Sequence, residues 1–413
     1  MPVMNDAILH DRIEELHLWA VQQGLVGARG SAIFEGFCAR LAAAGVPLWR
    51  TFAGMRTMHP QWGGYVFLWE YGAAVQPVWM ERGDAYEHAL QSSPFGYLIE
   101  TARASFAGQH KTLFMRRRLS PGNAPYDFVV LDELAAAGGT DYLAVIVPFR
   151  PAADPSSEHG LGFSFATNRP GGFSEADIQL IRAVLPAVSL AIMCDASHTV
   201  ASGLLTAYLG HDAGRRVHAG AVERGSVEAM RAVLWYADIR GFTAMADALP
   251  GANLIEMLND VFEALTAALR ARGGQVLKFI GDGMLATFDL ADGEQATCRR
   301  ALDAARAAMA AVDAVDASHI AAGKPGVIVD LALHLGEVMY GNVGAIDRLD
   351  FTIIGPAVNE VARLEPLCQP LGRKVLVSAA LAEAANEPER LVSLGRHALR
   401  GVSEPHEVYG LRL

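Results

Sequence analysis

The chain has 413 residues, 52% hydrophobic and 19% charged, enough for two or three domains with packed cores. Its formal net charge of −11 argues against nucleic-acid binding through bulk electrostatics, while permitting a local cationic pocket. Cys38, Cys194, Cys298 and Cys368 are scattered, with no CxxC pair, and point to free thiols in a reducing compartment rather than to a zinc site or a disulfide framework.

At the N-terminus, "MPVMNDAILHDRIEELHLWA" places acids early and lacks an apolar h-region, so it does not read as a signal peptide. "RIEELHLWAVQQGL" and "SAIFEGFCARLAAAG" have helical periodicity, whereas "GGYVFLWEYG" and "DYLAVIVPF" read as strands. "LGFSFAT" alternates Leu161, Phe163 and Phe165 on one face, as a half-buried strand does. In "NRPGGFSEADIQLIRAVLPAVSLAI", Ser174 and Asp177 have capping-box spacing, with Phe173 and Ile178 at the staple positions. Ile178, Ile181, Leu185, Val188 and Ile192 then mark one helical face. The apolar run around "IRAVLPAVSLAIMC" is bounded by Arg182 and Asp195 and falls short of the roughly 20 residues that span a bilayer. A cytoplasmic protein without membrane insertion and without a nucleic-acid partner is expected.

This strand, turn and long closing helix resemble the end of a GAF-type sensor domain. The resemblance implies a GAF-like α/β regulatory domain over residues 1–195, with an unidentified small-molecule or ion effector. The cationic "MRRRL" at 115–119 is expected to be a solvated face rather than an anion site. Residues 196–229, Gly-punctuated and partly amphipathic, read as a helical linker.

The third part, 230–413, has a clear order. "AVLWYAD" is a strand, 251–272 a helix, "QVLKFI" and "MLATFDL" two strands around Gly281-Asp282-Gly283, "EQATCRRALDAARAAMAAVDAV" a helix and "GVIVDLALHLG" a strand. This is the α+β, ferredoxin-like βαββαβ pattern. The Asp282-Gly283 dipeptide is expected to supply the tight turn of the hairpin, because both residues tolerate positive φ.

In this topology the end of the first strand lies beside the hairpin tip, so Asp238 and Asp282 should converge. A carboxylate at a strand tip is ordinarily a helix cap, but two that converge invite a divalent cation. Oxygen ligands select Mg²⁺ or Mn²⁺. The backbone amides from Ile239 to Thr243, at a helix start, suit phosphate oxygens. Metal and phosphate cradle together imply a nucleoside triphosphate. No GxxxxGK[ST] sequence is present, so the phosphates are not held by a P-loop.

"VLWYADIRGFT", "KFIGDGMLATF", "LALHLGEVMYGNVG", "RLDFTIIGPAVNEVARLE" and "LRGVSEPHEVYGL" together resemble the successive blocks of class III nucleotidyl cyclases. The resemblance implies conversion of a nucleoside triphosphate to a 3′,5′-cyclic nucleotide and pyrophosphate by a homodimer with composite interface sites. By position, Asp238 and Asp282 match the aspartates that hold two ions, with the Ile239 carbonyl beside them. Lys278 and Thr352 match the purine-selecting pair, Asn359 the ribose-orienting asparagine and Arg363 the transition-state arginine. Phe242 and Thr243 fall in the phosphate-binding turn. Arg400 stands where many members have a lysine for the terminal phosphates. Lysine donates and a hydroxyl can accept, which suits adenine N1 and N6 and favours ATP. Guanylate or relaxed purine specificity, and a non-catalytic cyclase-like binding module, are the alternatives.

Overall fold

The structure, a computed structural model, describes residues 6–105, 112–120, 122, 124–149, 160–399 and 405–413. Two compact units divide between Leu204 and Leu205.

The first unit begins with α1 (Asp6–Leu25) and α2 (Gly30–Ala43). Its strands are β1 (Arg50–Arg56), β2 (Trp62–Glu70), β3 (Gln76–Glu81), β4 (Leu113–Arg118), β5 (Asp141–Pro148) and β6 (Gly160–Thr167). They form one antiparallel sheet in the order β3-β2-β1-β6-β5-β4. Helices α3 (Asp84–Gln91) and α4 (Pro94–Ser105) follow β3, α5 (Val129–Ala136) precedes β5, and α6 (Glu175–Leu209) follows β6. Period-two alternation gives the sheet two different faces. Leu161, Phe163 and Phe165 join Phe34, Phe37 and Leu185 in one fully buried core. Tyr142, Ala144, Ile146 and Ala166 face the other way, toward Leu98, Leu131 and Leu134. The sequence reading found three of the six strands. It missed Arg50–Arg56, Gln76–Glu81 and Leu113–Arg118, which lack a clean apolar alternation.

At 35 residues, α6 is longer than the sequence reading allowed, and one window of it reaches a mean hydropathy of 1.6. By length and composition it could cross a membrane, yet 56% of that window is buried inside the protein. The capping box is present as read, with the Asp177 N–H donating to Ser174 Oγ and the Ser174 N–H to Asp177 Oδ2.

The second unit opens with α7 (His211–His218) and β7 (Val227–Ile239). The segment expected to be a linker contributes to this unit's core: Ala213 is buried, and Arg216 lies 5.2 Å from the Tyr340 ring centroid. Then come α8 (Phe242–Ala248), α9 (Gly251–Arg270), the hairpin β8 (Gln275–Ile280) and β9 (Gly283–Asp289), α10 (Glu294–Ala321) and β10 (Val329–Gly344). This is the βαββαβ order. It continues through β11 (Leu349–Ile354), α11 (Pro356–Leu364), β12 (Val375–Ser378), α12 (Ala379–Ala385), β13 (Leu391–His397) and β14 (His406–Leu411). The sheet runs β13-β14-β12-β10-β7-β9-β8, with β11 paired to β10 beside this path. On one face Trp235, Phe288 and Leu333 pack with residues of α9, α10 and α12. On the other, Leu234, Leu285 and Ala332 pack with Ala213, Phe351 and Val361, from α7, β11 and α11.

The "MRRRL" arginines are paired rather than solvated. Arg116 Nη2 lies 2.8 Å from the fully buried Asp141 carboxylate, which also accepts the Phe173 N–H at 3.0 Å. Arg117 pairs with Asp127 and Arg118 with Asp141. Removing one member of a buried ion pair leaves an uncompensated charge. Asp141→Ala is therefore expected to cost about 3–5 kcal/mol in urea unfolding. Glu175→Gln, removing the 87% exposed partner of Arg116, should cost under about 1 kcal/mol. Equal costs would contradict the asymmetry.

Candidate active site

Strand register builds the site. Ala237 on β7 pairs with Met284 on β9, and Ile280 pairs with Gly283 across the hairpin. Only Gly281 and Asp282 lie in the loop, which places Asp282 beside the end of β7. The turn differs from the expected Asp-Gly type. Gly281 has φ 62°, and Asn386 is the one described non-glycine residue with positive φ. Glycine therefore takes the strained first loop position, as in a II′ turn, and leaves Asp282 an ordinary backbone.

Asp238 sits on the same sheet face as Leu234 and Tyr236, by alternation. Its carboxyl is hydrogen-bonded to Asp282, and burial with this neighbour pushes it up to about 7. The Ile239 N–H donates to Asp238 Oδ1 at 3.1 Å. Directly across the sheet Asp238 pairs with Asp330, which is buried. Arg240, two residues beyond Asp238, neutralises Asp330 through Nε at 2.8 Å. Glu365, after α11, is also buried and pushed up to about 7, by burial and by the charges of Asp238, Asp330 and Asp282. Arg240 is thus committed to Asp330, and among the described residues the acids remain in excess.

That donor set fits a magnesium-like ion. Among the described residues no three acidic, histidine or cysteine side chains form a metal cage. Two carboxylates with substrate phosphates and water complete such a coordination shell, as Mg²⁺ prefers. The Ile239 carbonyl is the backbone oxygen at this position.

The turn expected to hold phosphate offers fewer free amides than the sequence suggested. The Ile239 amide goes to Asp238, and the Arg240 amide to Ile328 O at 2.9 Å. The amides of Gly241, Phe242 and Thr243 remain for an anion. Gly241 has φ 74°, which turns the chain into α8. Phe242 packs its ring against the α9–α10 core, and Thr243 is exposed.

Lys278 and Thr352 are brought close through a residue the sequence reading passed over. Lys278 Nζ donates to Asp350 Oδ2. Asp350 precedes Thr352 by two on β11 and shares its face. The signal was available as "LDFT", since a strand puts both side chains on one side. Asp330 and Glu365 were not recoverable this way, because each depends on register or packing.

Asn359 and Arg363 occupy one side of α11, four residues apart, while Ala357, Val361 and Leu364 are buried on the other. Pro356 starts this helix. Asn359 is exposed and Arg363 half-buried. Between them Glu360 lies 3.7 Å from His334 on β10. Arg400 lies outside the described residues.

Because the folded protein holds a proton on Asp238 up to about pH 7, while an unfolded aspartate loses it near 3.8, metal-free stability falls as pH rises through that window. A divalent cation competes with the same proton, so its affinity should rise with pH up to about 7. Asp282→Asn is expected to raise the melting temperature of metal-free protein at pH 8 by about 2–4 °C, and to abolish its increase with Mn²⁺. Calorimetry showing a lower melting temperature and an intact Mn²⁺ response would contradict the pairing.

Residues 227–412 match the family model described as "Adenylate and Guanylate cyclase catalytic domain". An adenylate cyclase of Anabaena cylindrica is 34% identical over 172 residues, covering 41% of this chain and 33% of that protein. Adenylate cyclase 1 of Rhizobium meliloti is 29% identical over 203 residues, covering 48% and 29%. The chain thus spans about a third of the length of the curated relatives it matches. The crystal structure of the adenylyl cyclase CyaB from P. aeruginosa aligns at 23% identity with a TM-score of 0.42, covering 46% of this chain and 96% of that one. The similarity to adenylate and guanylate cyclase catalytic domains is thus carried by residues 227–412.

Proposed function

We propose that this domain converts ATP to 3′,5′-cyclic AMP and pyrophosphate. The ribose 3′-oxygen attacks the α-phosphorus, the bond to the bridging oxygen of the β-phosphate breaks, and pyrophosphate leaves. The observation that carries the reading is the Asp238–Asp282 pair, held together at a strand end with no arginine among the described residues committed to it.

Asp238, Asp282 and the Ile239 carbonyl would hold two Mg²⁺ or Mn²⁺ ions. When bound, these ions would grip the triphosphate and make the 3′-hydroxyl easier to deprotonate. The amides of Gly241 to Thr243 bind phosphate oxygens. Asn359 orients the ribose. Arg363 stabilises the negative charge that grows on the α-phosphate, where preorganised donors act most strongly. Arg400 is assigned to the terminal phosphates. The Lys278 ammonium donates to adenine N1, and Thr352 accepts from the N6 amine. Asp350 positions Lys278 and adds a second acceptor beside Thr352. In a homodimer, the metal carboxylates of one subunit would serve the purine and ribose contacts of the other, giving two equivalent sites.

The N-terminal unit is proposed to regulate the enzyme. Support comes from the segment that follows α6: Ala213 is buried in the catalytic unit, and Arg216 is ion-paired to Glu228 on β7. A shift of α7 therefore acts directly on the strand that carries Asp238.

A second reading, guanylate or relaxed purine cyclase, rests on Thr352, whose hydroxyl donates as well as accepts. Turnover of ATP and GTP with Mg²⁺ and with Mn²⁺ separates the two. A tenfold or greater preference for GTP, about 1.4 kcal/mol, would overturn the adenylate reading. Asp350→Ala is expected to lower kcat/KM for ATP by about tenfold, the worth of one hydrogen bond, with Mn²⁺ affinity unchanged. An unchanged kcat/KM would remove Asp350 from purine binding.

A further inference from the structure

The first unit contains a cavity of about 400 Å³, within the range of small-molecule sites. It lies on the sheet face opposite the Phe34–Phe163–Phe165 core, between the strands and α3, α4 and α5. Alternation in β6 explains why space exists there. Leu161, Phe163 and Phe165 fill one face, and Gly160, Gly162, Ser164 and Ala166 form the other. Gly54 on β1 continues this floor, and Phe52, Phe95, Leu90 and Leu134 supply apolar walls. The glycines are required by the rings. A Cβ on Gly162 would meet Phe95 at 2.9 Å, and one on Gly54 would meet Phe52 at 2.7 Å.

Polar groups at the cavity are few and already matched in charge. Arg56 bonds Glu87 at 2.6 Å, and Arg50 lies 3.5 Å from Glu70. An anionic ligand would compete with these carboxylates for the two guanidinium groups. Deeper in, Tyr142 is 3% exposed and hydrogen-bonded to Ser164. Burial pushes Tyr142 up to about 12, so its hydroxyl keeps its proton and stays a donor as well as an acceptor. Among the described residues the cavity therefore offers apolar walls, the Tyr142–Ser164 hydroxyl pair deep inside, the hydroxyls of Tyr86 and Ser93 nearer α3 and α4, and no charged side chain without a partner.

We infer that the N-terminal unit binds one neutral, predominantly apolar small molecule in this cavity, with a single hydroxyl or carbonyl of the ligand reaching Tyr142 and Ser164. Apolar area supplies the affinity and the hydroxyl pair sets the orientation. This inference does not depend on the chemistry of the catalytic unit.

The test is a fluorescence titration of the full chain with N-phenyl-1-naphthylamine, a neutral apolar probe. One site per chain is expected, with affinity reduced at least tenfold by Val66→Trp, which fills the cavity, and unchanged by Leu190→Trp on the exposed side of α6. Near-UV circular dichroism checks that the variants fold. If Val66→Trp does not, Leu90→Phe fills the cavity from α3 instead. In competition, 2-naphthol should displace the probe at a several-fold lower concentration than 2-methoxynaphthalene, and Ser164→Ala should erase that difference. Absence of binding, or binding undiminished in a folded cavity-filled variant, would overturn the site. An anionic anilinonaphthalene sulfonate that binds tenfold tighter, and loses that advantage in Arg56→Gln, would overturn the neutral ligand class.

Discussion

The approach of Asp238 and Asp282 is unfavourable in itself, since two half-buried carboxylates repel and both lose hydration. Backbone pairing holds them there. The β7–β9 register fixes where the hairpin ends, and Gly281 absorbs the turn's positive φ so that Asp282 can close it. Asp330 would add a third charge from directly across the sheet, but Arg240 neutralises it. The fold thus cancels one acid internally and leaves a pair to which no cationic side chain among the described residues is bonded. This arrangement resembles a ligand site more than a structural ion pair, in which the partner charge is built into the chain.

The same sheet face carries the other site residues. Leu234, Leu285 and Ala332 bury one side of β11 and α11, which sets Thr352, Asn359 and Arg363 relative to that face. The Lys278–Asp350 pair spans from the edge strand β8 to β11. A lysine held by a carboxylate is already in place, whereas a flexible, solvated lysine loses side-chain entropy on binding.

Much of the catalytic unit was legible in the sequence, because its central strands carry short apolar runs and glycines mark the turns between them. Asp238 and Asp282 could be named from their places at a strand end and a hairpin tip, and Asn359 and Arg363 from the resemblance of their block to class III nucleotidyl cyclases, which their i, i+4 spacing supports. What was not legible depends on neighbours distant in sequence. Asp330 matters only through its register with Asp238, and Glu365 only because packing buries it. Asp350 was readable by its spacing from Thr352, but a solvated aspartate is the ordinary expectation at an exposed strand position. In the N-terminal unit, the strands at 50–56 and 76–81 mix polar and apolar residues on both faces, so propensity gave no clear signal. There the alternation in "LGFSFAT" was visible, while its consequence was not. The small residues opposite the phenylalanines mean little until three short helices stand off from that face and leave a cavity.

The most direct test of the central claim is anomalous diffraction at the manganese edge, from crystals of the full chain grown with Mn²⁺ and a non-cyclisable ATP analogue. Manganese is expected between the Asp238 and Asp282 carboxylates, with triphosphate oxygens completing the coordination and the Gly241–Thr243 amides on the phosphates. Nucleotide bound with its triphosphate elsewhere, or manganese absent from that pair while nucleotide is present, would contradict it.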